Sequence, residues 1–290
     1  MRFYEKITAS LPKNVKRSIE KTSVRLSSFR YKDFVNPLLY KPTVHLFNDV
    51  GKLLRPTLVF IGADAIGEKP DKFVDLAVAA ELIHTSSLIH DDIIDGDELR
   101  RGVEAVHIKY GKESAILAGD ALISKAIMMS ADYGSDVMRS ISQASMDMCA
   151  GEILDNKYHN GSSFPSLKTY MDIARLKSAS LIASCCNIVA VYGKHAEADR
   201  IYNFGIDLGL AFQIRDDVLE SLEESVEREN EKCNIVNILQ SRYSLNRKEA
   251  VKKAVKMNNE YVNSAVRRIN DRSVSKEFEK YADFVNLDKY

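Results

Sequence analysis

The sequence predicts an all-α fold: a single helical bundle with several helices at its centre. Three observations carry that expectation. Only six prolines and thirteen glycines punctuate 290 residues. The strict alternation of a half-buried strand is scarce, whereas apolar residues recur at three- and four-residue spacing over long runs. Several of those runs are apolar on nearly every side, which suits only a helix enclosed by others.

In chain order, Phe73 to Ile94 reads as one central helix, apolar except for His84, His90 and small hydroxyls. Ser114–Ala131, Arg175–Tyr192 and Ile201–Leu222 read as similarly buried, and Val137–Leu154 as amphipathic, rich in methionine and small residues. The linkers Gly67–Asp71, Gly96–Gly102, Tyr133–Asp136, Asn156–Ser166 and Gly193–Ala198 are short and polar. None is biased enough to mark a boundary, so residues 1–290 are expected to form one domain. After Glu220 the character shifts to the highly charged LESLEESVERENEK, and the last fifty residues read as surface-type helices.

Composition is that of an ordinary globular chain, 45% hydrophobic and 28% charged. Lys plus Arg and Asp plus Glu both number 41, so no global field draws the chain onto nucleic acid or an anionic membrane. A bound polyanion must be held by a local cluster. Cys149, Cys185, Cys186 and Cys233 lack ligand-type spacing, and a reduced cytoplasmic setting fits them better than a disulfide framework. The N-terminus lacks the apolar core of a signal peptide, and no segment looks like a membrane span of ~20 apolar residues.

The stretch LIHDDIIDGDELRRG raises a question of charge. Asp91 and Asp95 share one helix face, with Asp92 beside them. They close a helix at its C-terminal end, where the dipole disfavours anions. Both penalties vanish if cations sit there, and carboxylates four apart suit Mg²⁺, which shares its shell with water and phosphate oxygens. Acidic residues at a helix end more often form a solvated turn. A second cluster weakens that reading: AFQIRDDVLES places Asp216, Asp217 and Glu220 at the same spacing, again closing a mostly apolar helix. The two triplets are expected to face each other across a cavity mouth.

Cations complete the pattern. Arg100 and Arg101 follow the first cluster, Lys52 and Arg55 precede it in GKLLRP, and Lys177 interrupts an apolar helix. A salt bridge with Glu98 could account for Arg100, but Lys177 has no acid within one helical turn except Asp172 at the edge of reach and is costly to bury unpaired. Acids that hold metal beside bases that hold phosphate imply a diphosphate ligand.

These motifs make the chain resemble the trans-isoprenyl diphosphate synthases of the polyprenyl synthetase family, from about Gly51 to Glu220. The residues are Gly51-Lys52-x-x-Arg55-Pro56, Glu81-x-x-His84, Asp91-Asp92-x-x-Asp95 with Arg100-Arg101-Gly102, Gly119-Asp120, Gly151-Glu152-x-x-Asp155, Lys177-Ser178-Ala179 and Phe212-Gln213-Ile214-x-Asp216-Asp217. Each is weak alone; seven in the family's order are specific.

The resemblance implies an isoprenoid-synthase bundle with a central substrate cavity. It implies an Mg²⁺-dependent condensation of an allylic diphosphate with isopentenyl diphosphate, by ionisation, attack and proton loss. Three magnesium ions are expected with the diphosphate. Asp91, Asp95 and Asp216 are the expected metal ligands, supported by Asp92 and Asp217. Arg100 and Lys177 are expected to grip the allylic diphosphate, with Lys232. Lys52, Arg55, His84 and Arg101 are expected to hold isopentenyl diphosphate, and Ser178 and Gln213 to lie near the developing cation. His90 and His107 are left as structural, and a homodimer is implied.

Product length follows from the first helix. The tail should run along the turns preceding Asp91, where Ser87 and Ser86 are small. The floor is then deeper, at Ile83, Leu82 or methionines of Val137–Leu154, and the product should have twenty carbons or more. The chain departs from the family in Glu220 for Asp, Ser178 for Thr, and an acidic SLEESVEREN where a Gly- and Lys-rich loop is usual. That leaves two alternatives: a non-catalytic partner subunit of a heteromeric synthase, and a terpene cyclase on the same fold. Paired aspartates in both clusters count against the first. Lys52, Arg55 and Arg101 count against the second.

Overall fold

The computed structural model describes residues 10–48, 51–159, 164–223, 233–269 and 276–287. It is helical almost throughout, as the spacing predicts. The helices are α1 (Lys13–Ser27), α2 (Pro37–Val44), α3 (Leu54–Ala65), α4 (Val74–Asp95), α5 (Val106–Tyr110), α6 (Lys112–Ala131), α7 (Ser135–His159) and α8 (Leu167–Ala174). A π-helical turn, Arg175–Ala179, joins α8 to α9 (Ser180–Tyr192), followed by α10 (Ala198–Glu223), α11 (Ile235–Tyr243), α12 (Arg247–Arg268) and α13 (Lys276–Val285). Among the described residues the one sheet is a hairpin of β1 (Leu99–Arg100) and β2 (Val103–Glu104).

Each element has a local cause. The α4 helix stops at Gly96, whose left-handed backbone (φ 71°) lets its N–H cap the Asp92 carbonyl. The hairpin turns on Arg101 and Gly102, both at positive φ (54° and 79°), the condition for a tight two-residue turn. The α12 helix starts on a capping box between Asn246 and Glu249.

The α9 helix is the axis of the core. Every residue from Ser180 to Ala190 is buried. Glycines let its neighbours approach: an added Cβ would lie 2.4 Å from the Cys186 carbonyl at Gly62, 2.4 Å from Ala183 Cα at Gly205 and 2.4 Å from Ala179 Cα at Gly209. Residues 58–61 of α3 and 76–80 of α4 are likewise buried. Of the predicted central helices, α4, α9 and α10 are central, with ends shifted by a few residues; Ser114–Ala131 is not, because α6 leaves Ile116, Leu117 and Met128 43–66% exposed.

Four further expectations need correction. The Asn156–Ser166 linker begins inside α7, which runs to His159. The Gly96–Gly102 linker contains the first strand of the hairpin. Two helical stretches, Lys112–Ala131 and Leu167–Tyr192, are long and apolar enough to cross a membrane by length and composition. The second has 78% of its apolar window buried, so core packing accounts for its apolarity. Helices α12 and α13 are amphipathic rather than purely superficial: Phe278, Ala282 and Val285 are buried completely.

Candidate active site

Two hollows open on either side of α4, sharing that helix and the π turn as walls. The π turn inserts one extra residue into the α8–α9 run, a device that re-aims side chains at functional sites. It turns Lys177 toward one hollow and Ser178 toward the other. Gly151 makes this possible, because a Cβ there would lie 2.4 Å from the Lys177 backbone nitrogen.

The first hollow, a cavity of about 260 Å³, is mostly apolar. Ile83, Ser86, Ser87, His90 and Asp91 of α4, Ile123 of α6, and Met148, Cys149, Glu152 and Ile153 of α7 line it. Ser86 is buried and donates to the Gly119 carbonyl at 3.0 Å; Ser87 donates to the His84 carbonyl at 2.9 Å. Leu82 is fully buried but is not in this wall, which corrects its assignment to the floor. It lies on the face of α4 turned to the core. Ile123 was missed because it sits on another helix, out of reach of a count back from Asp91. His90 was left as structural; it both lines the cavity and places Nε2 3.2 Å from the Ile116 carbonyl. His107, also left as structural, has a buried Nδ1 without a partner.

Where Asp91 meets this cavity the charge is anionic. Burial, then the Glu152 carboxylate, pushes the Asp91 pKa up to about 7, against the pull of Lys177. Lys177 is not unpaired, as its own helix suggested: Nζ lies 2.7 Å from both Glu152 and Asp155 of α7. A neighbouring helix supplies acids that local spacing cannot reveal. Asp95 is exposed at the end of α4. Asp92 faces inward instead. Its carboxylate, fully buried, takes the Arg100 Nε–H at 2.6 Å, and one of its oxygens has no partner. Arg100 also bonds Asp97 at 2.8 Å, rather than the Glu98 considered from sequence.

The second hollow, about 750 Å³, is cationic. Lys52, Arg55, Arg100 and Arg101 line it with His84, Ser178, Gln213 and Asp216. Buried Arg55 Nε and His84 Nδ1 have no hydrogen-bond partner, an unusual state that an anionic ligand would relieve. Burial, then Arg55 and Arg101, hold the His84 pKa well below the ordinary imidazole value, so the ring is neutral. Gly51 (φ 63°) leaves room for Arg101, since a Cβ would lie 2.9 Å from its Cζ. Leu53 and Arg101 both hold left-handed backbone (φ 46° and 54°), strain of the kind that gathers at binding sites. Glu81, quoted from sequence in the Glu81-x-x-His84 motif but given no role there, is a further member of this hollow, a buried carboxylate 3.8 Å from Arg101 Nη2.

Asp216 stands at the rim with 48% of its side chain exposed. The concave setting still pushes its pKa up to about 6, opposed by Arg215, Lys52 and Arg55. Asp217 points the other way. It is buried and receives the Tyr170 hydroxyl (2.7 Å), the Gln213 amide (2.7 Å) and the Ile235 backbone N–H (2.8 Å). It therefore ties α10 to α8 and to the start of α11. Burial dominates these bonds and lifts its pKa to about 7. The Ser178 hydroxyl donates to Gln213 Oε1 at 2.5 Å, completing a chain Ser178–Gln213–Asp217–Tyr170. Lys232 lies outside the described residues.

Asp91 and Asp216 thus line adjoining hollows rather than one. Among the described residues no three carboxylate, imidazole or thiol groups converge into a cation cage. Asp91, raised by burial and then by the Glu152 carboxylate beside it, nevertheless fits a hard cation that completes its shell with phosphate oxygens. The arrangement offers a cationic cradle, an acidic rim and an apolar recess.

Comparison with known proteins places this arrangement in context. The sequence profile of the polyprenyl synthetase family matches residues 36–281. A geranylgeranyl pyrophosphate synthase of Geoglobus acetivorans is 36% identical over 190 residues, 63% of this chain and 59% of that one. A geranylgeranyl diphosphate synthase of Methanosarcina mazei is 33% identical over 227 residues, 76% of this chain and 69% of that one. The chain therefore spans from under three-fifths to about two-thirds of these curated relatives. In three dimensions it superposes on the Geoglobus acetivorans geranylgeranyl pyrophosphate synthetase with a TM-score of 0.81 at 26% identity, covering 94% of this chain and 98% of that one.

Proposed function

This chain belongs to the polyprenyl synthetase family, and from that premise we propose that it condenses an allylic diphosphate with isopentenyl diphosphate, head to tail. The observation that carries the reading is the pair of adjoining hollows, one cationic and one apolar, with carboxylates at their rims. A substrate with a charged head and a greasy tail needs both.

In this reading Lys52, Arg55, His84 and Arg101 bind isopentenyl diphosphate in the cationic hollow. Neutral His84 serves as a hydrogen-bond partner rather than a charge. Asp91, Asp95 and Asp216 would hold magnesium, three ions in all, together with the allylic diphosphate. Magnesium, when bound, draws electron density into the diphosphate leaving group. Lys177 and Arg100 hold that diphosphate as well, sharing it with their carboxylate partners. The Ser178 hydroxyl proton is committed to Gln213, which leaves its oxygen lone pairs for the developing allylic cation. Asp92 and Asp217 act behind them, orienting Arg100 and Gln213. The apolar recess keeps water from the cation and accepts the tail.

The recess continues past Ser86 to Ile83, Ile123 and Met148, which supports a product of twenty carbons or more, geranylgeranyl diphosphate or longer. Its likeness to geranylgeranyl synthases agrees. We read residues 1–290 as a single domain acting as a homodimer. Ile116, Leu117 and Met128 on α6, with Met146 and Ile153 on α7, are 43–74% exposed and supply an apolar face for a second copy. Four free thiols suit a reducing cytoplasm.

Incubating the purified protein with Mg²⁺, isopentenyl diphosphate and each allylic primer, then sizing the products, tests the reading. A linear product of twenty or more carbons is expected. No turnover with any primer would point to a partner subunit, and a cyclic product formed without isopentenyl diphosphate to a cyclase.

A further inference from the structure

Glu81 is a carboxylate buried inside the hollow that must receive a diphosphate, where an anion is the wrong charge. Its surroundings explain why it is tolerated in the free protein. Arg101 reaches it from the hairpin, with Nη2 3.8 Å from Oε1, and Arg55 acts on it from α3. The Cys185 thiol of α9 also feels both Glu81 and Arg55, with its pKa pushed by burial up to about 12, so it stays neutral. His84, one turn along α4, is neutral too. Lys52 and Asp216 complete the charged lining of the hollow. Glu81 is thus the inner counter-charge of two arginines whose outer sides face the hollow.

An arriving diphosphate changes that balance. Its oxygens take the same guanidinium groups and bring several negative charges close to a carboxylate that is itself buried. Like charges in a poorly solvated site are relieved by protonating one of them. Resting on the functional reading above, we propose that Glu81 is a positioning residue of the isopentenyl diphosphate site: it holds Arg55 and Arg101 in the free protein and takes up one proton from solvent when the diphosphate binds. The only bond formed is O–H on the Glu81 carboxyl, and the proton comes from the buffer. Burial already lifts the free carboxyl to about 7 despite both arginines, so a further rise on binding protonates it at a pH where the free protein holds it ionised. The sign follows. Ionised before binding and protonated after it, Glu81 makes affinity fall as pH rises above its free value.

Calorimetric titration with isopentenyl diphosphate, without divalent ion, in buffers of different ionisation enthalpy counts the protons. At about pH 8 the wild-type protein should take up about one proton more than Glu81→Gln, because Glu81 is then mostly ionised before binding. Protons exchanged by Asp216 or by the ligand itself are common to both proteins and cancel. Glu81→Gln should also bind with a flatter pH dependence, its affinity exceeding wild type by up to about tenfold per pH unit above the free pKa. Equal proton counts in the two proteins would overturn the proposal. If Glu81→Gln does not fold, infrared difference spectra of Asp216→Asn with and without the ligand decide. A new protonated-carboxyl band supports the proposal, and its absence overturns it. Failure of wild type to bind isopentenyl diphosphate at all would instead overturn the functional reading.

Discussion

Gly151 and Lys177 lie so close that a Cβ on the glycine would sit 2.4 Å from the lysine's backbone nitrogen. The obstacle is backbone on both sides, so no side chain can swing away. Gly151→Ala should therefore destabilise the protein by about 1–3 kcal/mol and displace the π turn that aims Lys177 and Ser178. Turnover should fall further than the melting temperature implies. Thermal melts and steady-state rates on one preparation check this, and unchanged values for both would show that the helices separate freely.

Asp91 should display opposed effects on stability and activity. Its pKa is raised to about 7 by burial and Glu152, so ionising it opposes folding. In metal-free protein this loss appears as pH rises from the unfolded value toward the folded one, and is complete above about 7. Asp91→Asn should melt higher than wild type at alkaline pH and match it in acid. The same variant should lose turnover by about 10²–10³-fold, and chelating the divalent ion should silence the wild type. A variant that keeps full activity would exclude Asp91 from the metal site.

The two neighbouring aspartates of the second cluster should separate cleanly. Asp217 accepts three hydrogen bonds in the interior, whereas Asp216 stands at the rim. Asp217→Ala strands those donors and should cost about 3 kcal/mol or more. Tyr170→Phe removes one bond and should cost about 1 kcal/mol. Asp216→Ala should leave the melting temperature nearly unchanged and abolish turnover. Denaturant titration beside product assays distinguishes them.

Product length should respond to both walls of the recess. Ser86→Phe puts an aromatic ring where Ser86 now bonds the Gly119 carbonyl, and should shorten the product by at least one five-carbon unit. Truncating Ile123 or Met148 to Ala should lengthen it. Chromatography of the dephosphorylated products reads both. An unchanged length in Ser86→Phe would remove the recess as the tail site.

Much of this site was legible before any coordinates. Apolar periodicity located α4, α6, α7, α9 and α10, because burial, of one face in α6 and α7 and of nearly all sides in α4, α9 and α10, leaves a chemical record along the chain. The cationic residues of GKLLRP and the arginines after the first cluster do share a hollow, as their motif order suggested. Lys177 was misjudged for a definite reason. Its partners Glu152 and Asp155 lie on α7, and a pairing rule that looks one turn along a single helix cannot see across a helix pair.

Spacing along one helix determined which carboxylates are neighbours, since i and i+4 always share a face. It could not determine which way each one turns. Asp92 and Asp217 each follow a rim aspartate by one residue, a rotation of about 100° that carries them inward. Arg100 waits for one of them and Tyr170 for the other. The sequence alone thus named the chemistry of the site, acid beside base beside apolar recess. Only the packed structure decided which acids meet solvent and which hold the frame, because that depends on what neighbouring helices bring to the other side.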